Sequence, residues 1–307
     1  MEDTVYDVIV IGGGPAGLAA ALYTARSRLM TLVIEKAIVG GELMNRDIIE
    51  NYPGYPEGIY GPELGSKLVK QVKNLGVKIE IAEALGVEGA GDLRLVKTTE
   101  GNYLTRALLI ATGTHHKRLG VPGEEEFLNR GVFYCATCDG PAYVERKVAV
   151  VGGGDSGVTE ALFLSRIGAK VTLLEVLPSL TAQRLLQERV KADPAIEVRC
   201  GKRVERIVGD EEVREVEIVD VRTGQKEILA VEGVLVQIGL EPNTEFLGGL
   251  LKTDETRRIV VDRHMQTSMS LVFAAGDVRS ESPGQIVTAM GDGATAAIAI
   301  QRALQAF

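Results

Sequence analysis

Apolar residues in this chain fall into short runs broken by turn residues. Residues 7–35, DVIVIGGGPAGLAAALYTARSRLMTLVIE, open on an apolar run, break at three glycines, continue with small and apolar residues, and close on a second apolar run ending at Glu35. Continuous apolar runs of this length read as buried strands, so the segment predicts one βαβ unit. Residues 147–175, KVAVVGGGDSGVTEALFLSRIGAKVTLLE, repeat it 140 positions later without a gap, with ten of 29 residues identical. An internal repeat sets the fold class before any other signal. The pattern also predicts helices over 63–76 and 180–193, and strands over 77–84, 93–99 and 108–110. Residues 212–221 and 227–239 look like strands of a meander. Residues 271–277 read as a buried strand, and 284–304 as a closing helix whose start Gly291 and Gly293 weaken. The expectation is an α/β protein with two Rossmann-like dinucleotide-binding domains, jointed near 113–118 and 242–246.

Composition narrows this only a little. At roughly 150 residues per domain, 307 residues make about two domains. The net charge of −8 speaks against nucleic acid as the main partner, since phosphate wants a basic surface. The N-terminus, MEDTVYDVIVIGGG, is acidic where a signal peptide is basic, and no run approaches the ~18 apolar residues of a membrane span. A cytoplasmic protein with no membrane partner is expected. Three cysteines cannot make a disulfide framework, and two of them form one C-x-x-C.

The glycines carry the first chemistry. Gly12, Gly14 and Gly17, with Pro15 and Ala16 between them, form G-x-G-x-x-G after a strand and before a helix. The first glycine permits the tight turn, the second lets a pyrophosphate approach the backbone, and the third lets helix and strand pack closely. The helix N-terminus then offers free N–H groups to the anion, and Glu35 is placed to accept hydrogen bonds from an adenosine ribose. Gly152, Gly154 and Gly157, with Asp155 and Ser156, repeat the motif, and Glu175 repeats the acid. Two such sites suggest a flavin and a nicotinamide, without saying which binds where. A carboxylate at Glu175 would repel the 2′-phosphate of NADP, and 175–181 (EVLPSLT) holds no base. NADH is therefore expected over NADPH if this site takes the nicotinamide, although Arg184 lies further along.

Cys135 and Cys138 lie in CATCDG (135–140). Two thiols at this spacing can close a small disulfide or attack a partner's, and their environment can lower a thiol pKa toward neutrality. Asp139 could carry a proton to a leaving thiolate. A zinc reading needs about two more ligands, and only Cys200 and three histidines remain. Cys200 reads as a structural thiol, His115 and His116 as caps of the first joint, and His264 as a surface residue.

The glycine motif, the Ala111-Thr112-Gly113 turn, CATCDG, the second glycine motif and FAAGD (273–277), in this order, resemble the low-molecular-weight thioredoxin reductases over essentially the whole chain. The resemblance implies a discontinuous FAD domain, 1–115 with 245–307, and an inserted NAD(P)-binding domain, 116–244, carrying the redox C-x-x-C. It implies that Gly40, Gly41, Glu42, Leu43 and Asn51 lie along the flavin, with Glu42 where glutamine is more usual. It places a backbone contact to the adenine side at Val87, the ribityl chain at Gly276-Asp277, and the flavin ring at the backbone of Gln285 and Ile286. It assigns Cys138 to the flavin side, Cys135 to attack on thioredoxin, Asp139 to acid/base work, and Arg130 to the thioredoxin contact. It further implies a homodimer whose middle domain swings. One departure stands out: NADPH-using members carry His-Arg-Arg and a later arginine where this chain has Glu175-Val176-Leu177 and Thr181, and often alanine at Gly157. That fits NADH. It also fits relatives fed by ferredoxin, and oxygen-dependent oxidases of small dithiols, against which the intact second motif counts. A non-enzymatic redox sensor is the remaining alternative, with no appended module to support it.

Overall fold

The apolar runs of the two repeated units become strands of two sheets, one mixed and one wholly parallel. The computed structural model describes residues 4–305 and divides into two units, residues 1–115 with 241–307, and residues 116–240. The second crossing thus falls between Leu240 and Glu241, before the 242–246 segment.

In the first unit Val5–Ile11 pairs in parallel with Thr31–Glu35 and with Gly101–Ile110. Lys78–Ile81 extends the sheet beyond Thr31–Glu35. The ten-residue strand Gly101–Ile110 changes partner along its length: its start pairs with the antiparallel hairpin strand Leu93–Thr98, and its end with Val272–Ala274. Val8, Ile9 and Val10, and Ala107 through Ile110, are fully buried, as strands covered on both faces must be. Helix Pro15–Arg26 lies against helix Ile286–Gln305 through alanines, among them Ala16, Ala20, Ala296 and Ala297. Gly293, which weakened the sequence reading of that second helix, has a packing reason: a Cβ there would come within 2.0 Å of the Ala16 carbonyl oxygen. Gly291 has no such neighbour.

In the second unit five parallel strands run in the order Val132–Phe133, Gly233–Val236, Lys147–Val151, Lys170–Glu175, Ile196–Cys200. An antiparallel sheet of Lys202–Gly209, Val213–Asp220 and Lys226–Ala230 follows the same core. The expectation of one meander through 227–239 is therefore corrected. Lys226–Ala230 is a largely exposed edge strand, whereas Val234–Val236 is wholly buried and belongs to the parallel sheet. The alternating and continuous patterns had been merged across Val231–Gly233. Helix 63–76 is observed as Gly61–Lys73, and 180–193 as Arg184–Ala192. No helix among the described residues is long and apolar enough to cross a membrane.

Candidate functional site

Each glycine motif is a backbone device closed by its own acid. Gly12 has φ +108°, and a Cβ there would lie 2.2 Å from the Ala111 carbonyl oxygen. At Gly17 a Cβ would meet the Gly12 oxygen at 1.9 Å. Gly14 is different: the nearest atom to a Cβ would be Gly41 Cα at 3.9 Å, so the backbone there borders open space. Gly14 caps helix Pro15–Arg26 without a side-chain hydrogen bond, and no acidic residue sits in the first turn. This is the cradle a pyrophosphate needs. Glu35 accepts the Gly13 N–H at 2.7 Å and the Ala37 N–H at 3.0 Å.

The second unit repeats the arrangement closely. Gly152 has φ +121° and faces the Gln237 carbonyl, Gly157 faces the Gly152 carbonyl, and Gly154 again borders open space, with Thr181 Oγ1 3.7 Å from a Cβ. Glu175 is buried, and accepts the Gly153 N–H at 2.5 Å and the Leu177 N–H at 2.8 Å. It therefore shapes the turn as well as marking the end of its strand. Asp155 is held by Gln183, which donates from both its backbone and its side-chain nitrogen at 2.7 Å. Val176 and Leu177, directly after the acid, are exposed.

Cys135 and Cys138 form a disulfide with Cα atoms 5.4 Å apart; Cys135 caps the N-terminus of the short helix Ala136–Asp139, and Cys138 lies within it. The Cys138 N–H donates to Cys135 Sγ at 3.1 Å. Cys138 is the more exposed of the two. Tyr134, just before the pair, is held on three sides. Its hydroxyl donates to the buried Glu124 at 2.7 Å, its carbonyl accepts from Gln237 Nε2 at 2.7 Å, and its ring stacks on His116. Burial and the Glu124 hydrogen bond push its phenol well above the ordinary value.

Asp139 carries a carboxyl whose pKa is raised by desolvation. The sign has two consequences. The acid keeps its proton to a higher pH than an ordinary aspartate, as proton delivery to a thiolate requires. It also means that folding binds a proton here, so this group's contribution to stability falls as pH rises through its folded pKa. Asp139→Asn is expected to melt at or above the wild-type temperature at pH 7 and to match it below pH ~4. Turnover should meanwhile fall by roughly 10²-fold or more. Melting curves at both pH values, with a turnover assay, check both halves.

The pattern of the family described as pyridine nucleotide-disulphide oxidoreductase matches residues 6–293. The chain belongs to this family. It is 43% identical to a thioredoxin reductase of Listeria innocua over 96% of this chain and 92% of that protein. It is 40% identical to one of Bacillus subtilis over 98% and 95%. The crystal structure of Lactococcus lactis thioredoxin reductase superposes with a TM-score of 0.96 at 41% identity, covering 98% of this chain and all of the other. Membership implies a flavin and a nicotinamide cofactor, and the chain is a thioredoxin reductase-like oxidoreductase.

Within the first unit of this oxidoreductase the fold gathers the residues expected near a flavin. The Gly40 N–H donates to the Gly13 carbonyl at 2.8 Å, bringing 40–43 against the first glycine turn, with Leu43 fully buried and Glu42 exposed 3.6 Å from Arg46. The Ala111 N–H donates to Ile11. Asn51 Nδ2 donates to Gln285 Oε1 at 2.9 Å, joining two expected flavin neighbours, and Ile286 begins the closing helix. Asp277 accepts from Ser282 Oγ at 2.9 Å. Val87 lies on the antiparallel strand Ala84–Ala90, opposite Val96.

Sequence reasoning missed several residues that hold these groups. Asn243 makes four hydrogen bonds to 112–115: to the Gly113 and Thr112 carbonyls, from Thr112 Oγ1, and with His115 Nδ1. Asp292 fixes the Gly276–Asp277 turn by accepting from Gly276 N at 3.2 Å and from Arg279 at 2.8 and 3.0 Å. A charged residue in a helix otherwise full of Ala, Gly and Ile was the available signal. Because this pair is largely buried, Asp292→Ala strands Arg279 and should cost about 3 kcal/mol or more. A lowered urea midpoint for the first unit, with weakened flavin retention, is the expected result.

Proposed function

We propose that this protein is an NADH-dependent thioredoxin reductase, with FAD held by residues 1–115 and 241–307 and the nicotinamide by 116–240. The observation that carries the reading is the Cys135–Cys138 disulfide, set in the same unit as a complete second glycine turn. The bound flavin would supply two-electron transfer from the nicotinamide to the disulfide. Gly14 and Gly154 leave room for a pyrophosphate, and Glu35 and Glu175 retain acceptor capacity for a ribose beyond their backbone hydrogen bonds. Once reduced, one cysteine attacks the thioredoxin disulfide and its partner resolves the mixed disulfide, so that two thiols are oxidised and two are released on thioredoxin. Asp139, protonated to higher pH than usual, gives a proton to the leaving thiolate.

The preference for NADH rests on Glu175 and the absence of bases through Thr181. A buried carboxylate hydrogen-bonded to Gly153 and Leu177 cannot turn away from a 2′-phosphate as a mobile surface acid could. Anaerobic titration with NADH, NADPH and reduced ferredoxin in separate cuvettes, followed by flavin bleaching, tests this. Rapid bleaching by NADH is expected. Bleaching by NADPH alone, or by ferredoxin alone, overturns the donor assignment.

A further inference from the structure

We propose that Glu160 is a positioning residue that sets how strongly reducing the Cys135–Cys138 pair is; this rests on the reading of that pair as the working dithiol. Glu160 lies on helix Asp155–Arg166, the helix that starts at the second glycine turn. It is 6% exposed. Its Oε2 accepts the N–H of Ala136 at 2.9 Å, and that peptide is the one joining Cys135, the N-cap, to the short helix that contains Cys138. Two residues on, the Cys138 N–H points at Cys135 Sγ. Two opposed influences therefore meet at Cys135. The Cys138 N–H favours negative charge on the sulfur, and a carboxylate at the adjoining peptide, itself buried, opposes it.

The pair is reduced when the S–S bond takes two electrons and two protons to give two thiols, or two electrons and one proton to give a thiol and a thiolate. A carboxylate beside Cys135 penalises the thiolate form and leaves the disulfide almost untouched. It thus biases the equilibrium toward the disulfide and makes the reduced pair a better electron donor. The helix that begins at the nicotinamide turn would in this way also carry the group that tunes the thiols.

Glu160→Gln tests the charge while keeping an oxygen to accept from Ala136. The flavin-loaded protein is equilibrated anaerobically across ratios of reduced to oxidised dithiothreitol, acid-quenched and alkylated. The open fraction of Cys135–Cys138 is then read by mass spectrometry. E160Q is expected to move the equilibrium constant toward the dithiol on the order of tenfold, with wild-type flavin absorbance. Glu160→Asp, which retains the charge, should stay near wild type. An E160Q constant equal to wild type overturns the proposal, since a purely structural acceptor would be served equally by glutamine. Should E160Q fail to fold, E160D decides the matter: a constant near wild type is expected, and a shift toward the dithiol on the order of tenfold overturns the proposal. A wild-type pair that never opens in the series would instead overturn the dithiol reading itself.

Discussion

Serine at either Cys135 or Cys138 should abolish thioredoxin reduction, by on the order of 10³-fold or more, while anaerobic bleaching of the flavin by its electron donor survives. The two readouts separate because in the proposed electron path the cysteines come after the flavin, and Cys135, the N-cap, and Cys138, within helix Ala136–Asp139, take no part in either glycine turn. Removing one sulfur leaves a lone thiol that can neither store two electrons as a disulfide nor resolve a mixed disulfide. The loss should therefore be nearly complete, and similar for the two variants in steady-state assays. In a single-turnover experiment they should differ: the variant that keeps the attacking cysteine traps thioredoxin as a stable mixed disulfide. The resemblance to thioredoxin reductases points to Cys135 as that residue. Full turnover in either variant would remove the dithiol from the mechanism.

Two alanine substitutions two residues apart should behave in opposite ways. Gly12→Ala puts a side chain at φ +108° with its Cβ 2.2 Å from the Ala111 carbonyl oxygen. Gly12 and Ala111 directly follow the central strands Val5–Ile11 and Gly101–Ile110, and the Ala111 N–H is bonded to the Ile11 carbonyl, so nothing can move cheaply aside. The expected product is insoluble or flavin-free, with a sharply lowered melting temperature. Gly14→Ala meets only open space and an unstrained backbone. The flavin-stripped variant should melt as wild type does. Its cost should appear only when FAD is added, because the new methyl stands where the pyrophosphate approaches the chain. Overpacking of about 1–3 kcal/mol corresponds to a roughly five- to 150-fold larger dissociation constant. Calorimetric titration of both stripped variants with FAD, beside their melting curves, measures each half. A Gly14→Ala protein with undiminished FAD affinity would show that the cofactor does not use this cradle.

The parts of the site legible in advance were those written in local spacing. Gly12-x-Gly14-x-x-Gly17 and its repeat announce themselves because backbone approach to a phosphate demands glycine at fixed offsets within one turn. The C-x-x-C does so because a three-residue separation alone lets two sulfurs meet. Glu35 and Glu175 carry an expected role as ribose acceptors; that they close the glycine turns through Gly13 and Gly153 was not legible. That role depends on how the strand end meets a loop 22 residues away. Asn243 and Gln237 left no pattern, since each makes its key hydrogen bonds to a segment more than 100 residues distant.

By itself, then, the sequence determined the two βαβ units, the paired glycine turns, the dithiol and the family, all of them consequences of local covalent and steric rules. Tertiary structure alone decided the rest. It made Gly293 a contact point rather than a flaw in its helix, moved Val234–Val236 from a meander into the buried parallel sheet, and brought Asp292 to Arg279 and Glu160 to the peptide after Cys135. Those outcomes turn on which buried polar group finds which partner once the core closes. Desolvation enforces that choice, but a one-dimensional pattern of apolar and polar residues does not encode it.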